Sequence, residues 1–158
     1  MKLMKTYLDT SVIGAIFDTE DPNRVEQTKY LLSILKDRDG YVPFISNILI
    51  EEIERAPIQI RSELEKQIKE MKCEIIYENK SSINLVSEYI KKRIVSNKYR
   101  EDARHLAIAV IQNMDLIVTW NCVHMANYRK KRMIWAVNLM LGYDQIDIVT
   151  PLEVIGHD

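Results

Sequence analysis

The feature that most constrains this chain is its alternation between two hydrophobic periods. The runs KTYLD (5–9), YVPFIS (41–46), CEIIYE (73–78), DLIVTW (115–120) and DIVTP (147–151) are short and apolar, as buried strands are. Helical patterns fill the intervals. SVIGAIFD (11–18) reads as one or two helical turns. Asp21-Pro22 then opens a helix, Asp as N-cap and Pro in the first helical position, and Val25, Tyr30, Leu31, Ile34 and Leu35 recur along it until DRDG (37–40) stops it. Ser46 caps a helix through Ile48, Leu49, Glu52 and Ile53, and Pro57 separates this from an amphipathic stretch over 58–71. Ser81 or Ser82 starts the next, which runs to about Val95. REDARHLAIAVIQNM (100–114) and a long segment stopped by Gly142 complete the set. Apolar strands that alternate with helices form a parallel sheet covered on both faces. An α/β fold with a mainly parallel sheet of four to five strands is therefore expected.

At 158 residues the chain is long enough for one domain with a full core and too short for two, so 1–158 is read as a single domain. Charged residues interrupt every apolar run before it reaches membrane-spanning length, and no apolar stretch follows Lys2 and Lys5 as a secretory signal would. Cys73 and Cys122 form no C-x-x-C pair, which favours a reduced, cytoplasmic protein without a membrane partner. With a formal net charge of −1 the molecule is not a polycation, so a nucleic acid would need a local basic patch.

In parallel α/β sheets the working site lies outside the carboxyl ends of the strands, and acids recur there. Asp9 ends the first strand. Glu51 and Glu52 sit in the first turns after the second, Asp102 opens the helix before the fourth, and the fourth ends at Asn121. Singly, each has an ordinary explanation: Asp9 as a helix cap, Glu51 and Glu52 as a solvated face, Asp102 as a complement to the helix dipole. Their shared placement says more. Unpaired carboxylates brought together repel one another unless a cation neutralises them, and Mg²⁺ or Mn²⁺, which take oxygen ligands, meet that need.

The segments YLDTSVI, FISNILIEEIERAP, YREDARHLAIA, LIVTWNCVH and IDIVTPLEV, in this order over essentially the whole chain, resemble the PIN-domain family, in particular VapC-like ribonuclease toxins and their solitary relatives. The resemblance implies a three-layer α/β/α fold and a ribonuclease that hydrolyses RNA phosphodiesters with metal-activated water. It implies Asp9, Glu52 and Asp102 as ligands of Mg²⁺ or Mn²⁺, with Glu52 selected over Glu51 by its spacing from Ser46. The family's fourth acid falls on Asn121, which keeps an oxygen but removes one negative charge. Asn121 joins the three acids in the catalytic set, placed to position water, metal or a substrate oxygen. The same likeness implies an antitoxin partner and a homodimer, for which the apolar Met133, Ile134, Trp135, Val137, Leu139 and Met140 offer a surface.

Other residues are candidates for holding RNA. Ser11 (with Thr10) would support Asp9 or its waters. Lys98 and Arg100, just before Asp102, and Arg129 and Lys130 in NYRKKR (127–132) would meet phosphates. His124 would touch substrate, whereas His105, one turn after Asp102, is expected to be a packed, hydrogen-bonded side chain. Trp120 is expected to pack beneath its loop, and Cys122-x-His124 is too few ligands for zinc. A haloacid-dehalogenase type of phosphohydrolase would need Asp where Ser11 stands. The alternative of another class is a catalytically weakened module that binds RNA or a protein partner.

Overall fold

The computed structural model describes residues 2–156. Its sheet has five strands, β1 (Met4–Leu8), β2 (Tyr41–Ser46), β3 (Glu74–Ile76), β4 (Leu116–Val118) and β5 (Asp147–Val149), in the order β3-β2-β1-β4-β5. Every pairing is parallel. The helices are α1 (Thr10–Gly14), α2 (Pro22–Lys36), α3 (Asn47–Glu54), α4 (Ile58–Met71), α5 (Lys80–Lys91), α6 (Arg100–Ile111), α7 (Tyr128–Met140) and α8 (Pro151–Ile155).

Side-chain alternation along the strands builds the three layers. Tyr7 of β1 and Ile117 of β4 face one core with Leu85 and Tyr89 of α5, Leu106 of α6 and Ile134 of α7. Leu8, Leu116 and Val118 face the other, with Val12 and Ile13 of α1, Leu31 and Leu35 of α2, and Leu64 and Met71 of α4. The expected parallel α/β/α sandwich is thus the observed one. No helix among the described residues is long and apolar enough to cross a membrane, and Cys73 and Cys122 are free thiols.

Local departures from the expected elements have local causes. Helix α5 begins at Lys80 rather than at Ser81 or Ser82, because Asn79 is the cap: its Oδ1 accepts from the Ser82 amide at 2.9 Å while Ser82 Oγ accepts from the Asn79 amide at 2.9 Å. The helix ends at Lys91, short of Val95, where Arg93 takes a left-handed conformation with φ 59°. Strand β4 is trimmed to Leu116–Val118, since Thr119 and Trp120 have turned into the loop that follows it. Pro151 opens an unexpected α8, capped by Thr150 in a reciprocal pair with Glu153.

The strand order carries the functional consequence. From β1 the chain runs outward through β2 and β3, then crosses back so that β4 lies against the opposite side of β1. The reversal falls between β1 and β4, where open α/β sheets bind their ligands.

Candidate active site

Asp9 follows β1 at this crevice. Its backbone (φ −85°, ψ 174°) occupies the N-cap position of α1, but its side chain caps nothing. Oδ1 instead accepts the Ser11 hydroxyl at 2.5 Å. Helix capping therefore does not explain an acid here, and the side chain is only 3% exposed. Burial pushes its carboxyl above the usual range, against the opposing pull of the His105 charge and the Ser11 and Thr119 hydroxyls. The loop after β4 completes the support. Ser11 Oγ accepts the Trp120 amide at 3.0 Å, and Thr119 Oγ1 accepts the Asn121 amide at 3.0 Å.

Asp102 lies in the first turn of α6, half-buried. Burial raises its carboxyl, the Asp9 charge raises it further, and His105 and His124 act the other way. Each of the two acids thus sits in surroundings that disfavour its ionised form, Asp102 partly because of Asp9. Asn121 Nδ2 donates to Asp102 Oδ2 at 2.9 Å, and Asn121 Oδ1 accepts the His124 backbone amide at 3.0 Å. The amide at the fourth position therefore orients Asp102 and ties it to the β4 loop, which a carboxylate there could not do.

Glu52, on α3, is held differently. His105 Nε2 donates to Glu52 Oε1 at 3.1 Å, with Thr10 Oγ1 3.2 Å from the same nitrogen. Burial acts to raise the Glu52 carboxyl, but the hydrogen bonds from His105 and Thr10 outweigh it and hold the group below the usual range. Behind His105 runs a buried chain. Its Nδ1 is 2.5 Å from the Tyr7 hydroxyl, which is 2.7 Å from Ser46 Oγ, and Ser46 Oγ accepts the Ile48 amide at 3.2 Å, capping α3. Burial keeps Tyr7 protonated far beyond its ordinary value. Glu51, one residue earlier, belongs outside the crevice: it accepts from Asn47 at 3.2 Å and from Arg104 at 3.4 Å, in a cluster where Arg104 also binds Glu78 at 2.5 Å and Glu101 at 2.9 Å.

Among the described residues, no three His, Cys, Asp or Glu side chains stand close enough to enclose an ion. What the edge offers is Asp9 and Asp102, the second raised by the charge of the first, with Glu52 turned to His105. A pair of hard oxygen donors, each disfavoured in its charged form by burial, fits a cation that keeps several of its own waters.

The remaining predicted residues divide. Ser11 is built into the Asp9 support. Lys98 and Arg100 are exposed, the first with Nζ 5.5 Å from the Tyr99 ring centroid, the second bonded to Asn97 at 3.0 Å. The His124 ring stacks on Tyr99 with centroids 3.9 Å apart. Arg129 is exposed, while Lys130 donates to the Ile94 carbonyl at 2.6 Å and so ties α7 to the loop after α5. His105 is buried and hydrogen-bonded, and Trp120 packs on α2 through a bond to Thr28 at 3.0 Å with Arg24 4.9 Å over its ring. Sequence reasoning missed Tyr7, Ser46 as a relay member, Thr119 and Tyr99. The one available signal was polar atoms, at Tyr7, Ser46 and Thr119, on residues flanking strand ends.

No family model matches the sequence, and no curated protein matches it. Solved structures do. A chain of the crystal structure of VapBC2 from Rickettsia felis bound to a DNA fragment from their promoter superposes with a TM-score of 0.59 at 16% identity, covering 93% of this chain and 98% of that one. A chain of DNA-bound VapBC from Salmonella typhimurium gives 0.60 at 15% identity, covering 95% and 100%. This chain shares their fold. The PIN-like architecture expected from the sequence is therefore borne out across nearly the full length.

Proposed function

We propose that this protein is a ribonuclease dependent on Mg²⁺ or Mn²⁺, acting as the toxin of a type II toxin–antitoxin pair. The observation that carries the reading is the buried, non-capping Asp9 at the strand-order reversal, with Asp102 beside it destabilised by its charge. Likeness in fold to chains of VapBC complexes supports an antitoxin partner. The apolar Leu139 and Met140 at the end of α7, 71% and 73% exposed, support a homodimer contact.

Asp9 and Asp102 would hold the ion directly, and Glu52 would reach it through water. When bound, a divalent cation supplies Lewis-acid stabilisation of phosphate charge and lowers the pKa of water. The chain's own residues supply the rest. Ser11 fixes one Asp9 oxygen, leaving the carboxylate a single orientation. Asn121 does the same for Asp102. His105 keeps Glu52 ionised and in place. Exposed Lys98, Arg100 and Arg129 would meet RNA phosphates, and their side chains carry no ion pair among the described residues that would have to be broken first. A second reading, a module that binds RNA or protein with weakened chemistry, is favoured by the amide that occupies Asp102 Oδ2.

The test is incubation of purified protein with a structured RNA pool and Mg²⁺ or Mn²⁺, beside EDTA and Asp102→Asn controls. Cleavage that requires both the ion and Asp102 is the expected result. Absence of cleavage together with absence of ion binding by calorimetry would replace the nuclease with the binding module.

A further inference from the structure

Tyr99 ends the 3-10 turn Asn97–Tyr99 and holds the N-cap position of α6, yet makes no cap bond. Ser, Thr, Asp or Asn would stabilise that position better, so helix energetics do not account for a tyrosine. Core packing does not account for it either. The residue is 36% exposed and belongs to neither core cluster. Its ring lies on His124, with planes inclined by 34°. The His124 backbone amide bonds Asn121, and Asn121 bonds Asp102, so the aromatic pair stands two hydrogen bonds from the acid edge. Exposed cations border it: Lys98 with Nζ 5.5 Å from the Tyr99 centroid, and Arg100, two residues before Asp102.

Exposed π-faces edged by flexible cations are what proteins use to stack an unpaired nucleobase while meeting its phosphates. We propose that the Tyr99–His124 pair is a nucleobase-stacking subsite, seating the base next to the phosphate presented to Asp9 and Asp102. This rests on the ribonuclease reading above and adds residues to it. Lys98, on a solvated four-carbon stem, moves off the ring to the neighbouring phosphate as the base arrives. Because a stacked base must leave its own helix, the subsite takes nucleotides from loops and single strands and leaves duplex outside.

The experiment is fluorescence anisotropy with a labelled single-stranded oligoribonucleotide of about twelve nucleotides, in EDTA so that binding is read without cleavage. Parallel probes are the same strand annealed into duplex and a ribose-phosphate oligomer lacking bases. Tyr99→Ala is expected to weaken single-strand binding roughly 5- to 150-fold, the range of one lost base–aromatic stack, and Tyr99→Trp to retain it, with quenching of the new indole. The base-free oligomer should bind wild type and Tyr99→Ala alike. Equal single-strand affinity of wild type and Tyr99→Ala would overturn the subsite and leave the ribonuclease reading standing. Equal weakening by Tyr99→Ala and Tyr99→Trp would also overturn it, as a fold effect. Failure of wild type to bind the single strand would also overturn the subsite, while the ribonuclease reading stands or falls on cleavage with Mg²⁺ or Mn²⁺.

Discussion

Replacing Asp9 by Asn should make the protein more stable without metal and remove its response to metal. The side chain is 3% exposed, and the groups that favour its charge are the neutral Ser11 hydroxyl at 2.5 Å, the Thr119 hydroxyl and the Val12 amide, beside the His105 charge. The His105 charge opposes the effect of burial on Asp9, but His105 Nε2 is directed to Glu52. An amide keeps the shape and the oxygen that Ser11 needs, and removes only the charge. An inadequately partnered buried polar group costs about 1–3 kcal/mol, more when charged. A gain of about 2 kcal/mol corresponds to a rise of roughly 4–8 °C in Tm for a chain of this size. The pH dependence has a defined sign. Because burial raises the Asp9 carboxyl, the folded state binds more protons than the unfolded one, and wild-type stability falls as pH rises from the ordinary carboxylate value of 3.8 through the raised folded value. Asp102 shifts the same way and adds to the fall. Glu52 shifts the opposite way, so its contribution is present above 4.5 and lost as pH falls through its lowered value. The Asp9→Asn advantage should therefore be absent at the acid end and grow toward neutrality. Thermal melts in EDTA across this range read it directly. Adding Mn²⁺ at about a hundred times its Kd should stabilise wild type by about 2.7 kcal/mol and leave the variant unmoved, reversing their order. A variant less stable than wild type in EDTA near neutral pH would refute the argument. So would equal stabilisation of both by Mn²⁺.

Tyr7→Phe keeps the buried ring but removes the hydroxyl between Ser46 and His105; a loss of about 1–3 kcal/mol is expected in urea unfolding, with wild-type stability as the refuting result. Arg129→Ala should lower the slope of log affinity for RNA against log salt by about 1 with no change in Tm, whereas Lys130→Ala should lower Tm because its ammonium holds the Ile94 carbonyl.

The fold was legible because its signal is repeated: five apolar runs with helical patterns between them leave few arrangements other than a parallel sheet, and the observed five-stranded order follows. Asp9 was legible for the same reason, since a strand end is a predictable place. The partners of the acids were not. Glu52 and His105 are 53 residues apart, and Tyr7 and His105 are 98 apart; pairings at such separations depend on how helices settle on the sheet, which periodicity does not encode. Lys130 shows the converse. A basic run reads as a phosphate surface, but the chain's turn at Ile94 brings a carbonyl to that ammonium, and only three dimensions separate Lys130 from Arg129. The sequence alone starts α5 at Ser81 or Ser82 because serine suits a cap, whereas the reciprocal bond between Asn79 and Ser82 makes Asn79 the cap.

The buried chain from Ser46 through Tyr7 and His105 to Glu52 explains how acids from separate elements keep a fixed geometry at the edge. Tyr7 lies two residues before Asp9 on β1, Ser46 caps the helix that carries Glu52, and His105 lies one turn after Asp102 on α6. Each acid-bearing element thus contributes one member to the same run of hydrogen bonds. An apolar replacement would pack the same volume, but dispersion contacts tolerate sliding by fractions of an ångström, while a hydrogen bond of 2.5–2.7 Å between buried groups does not. The polar chain consequently sets the register of β1, α3 and α6 against one another. Substitutions within it should disturb the placement of Glu52 before they disturb the fold, and those on the far face of α2 or α4 should do the reverse.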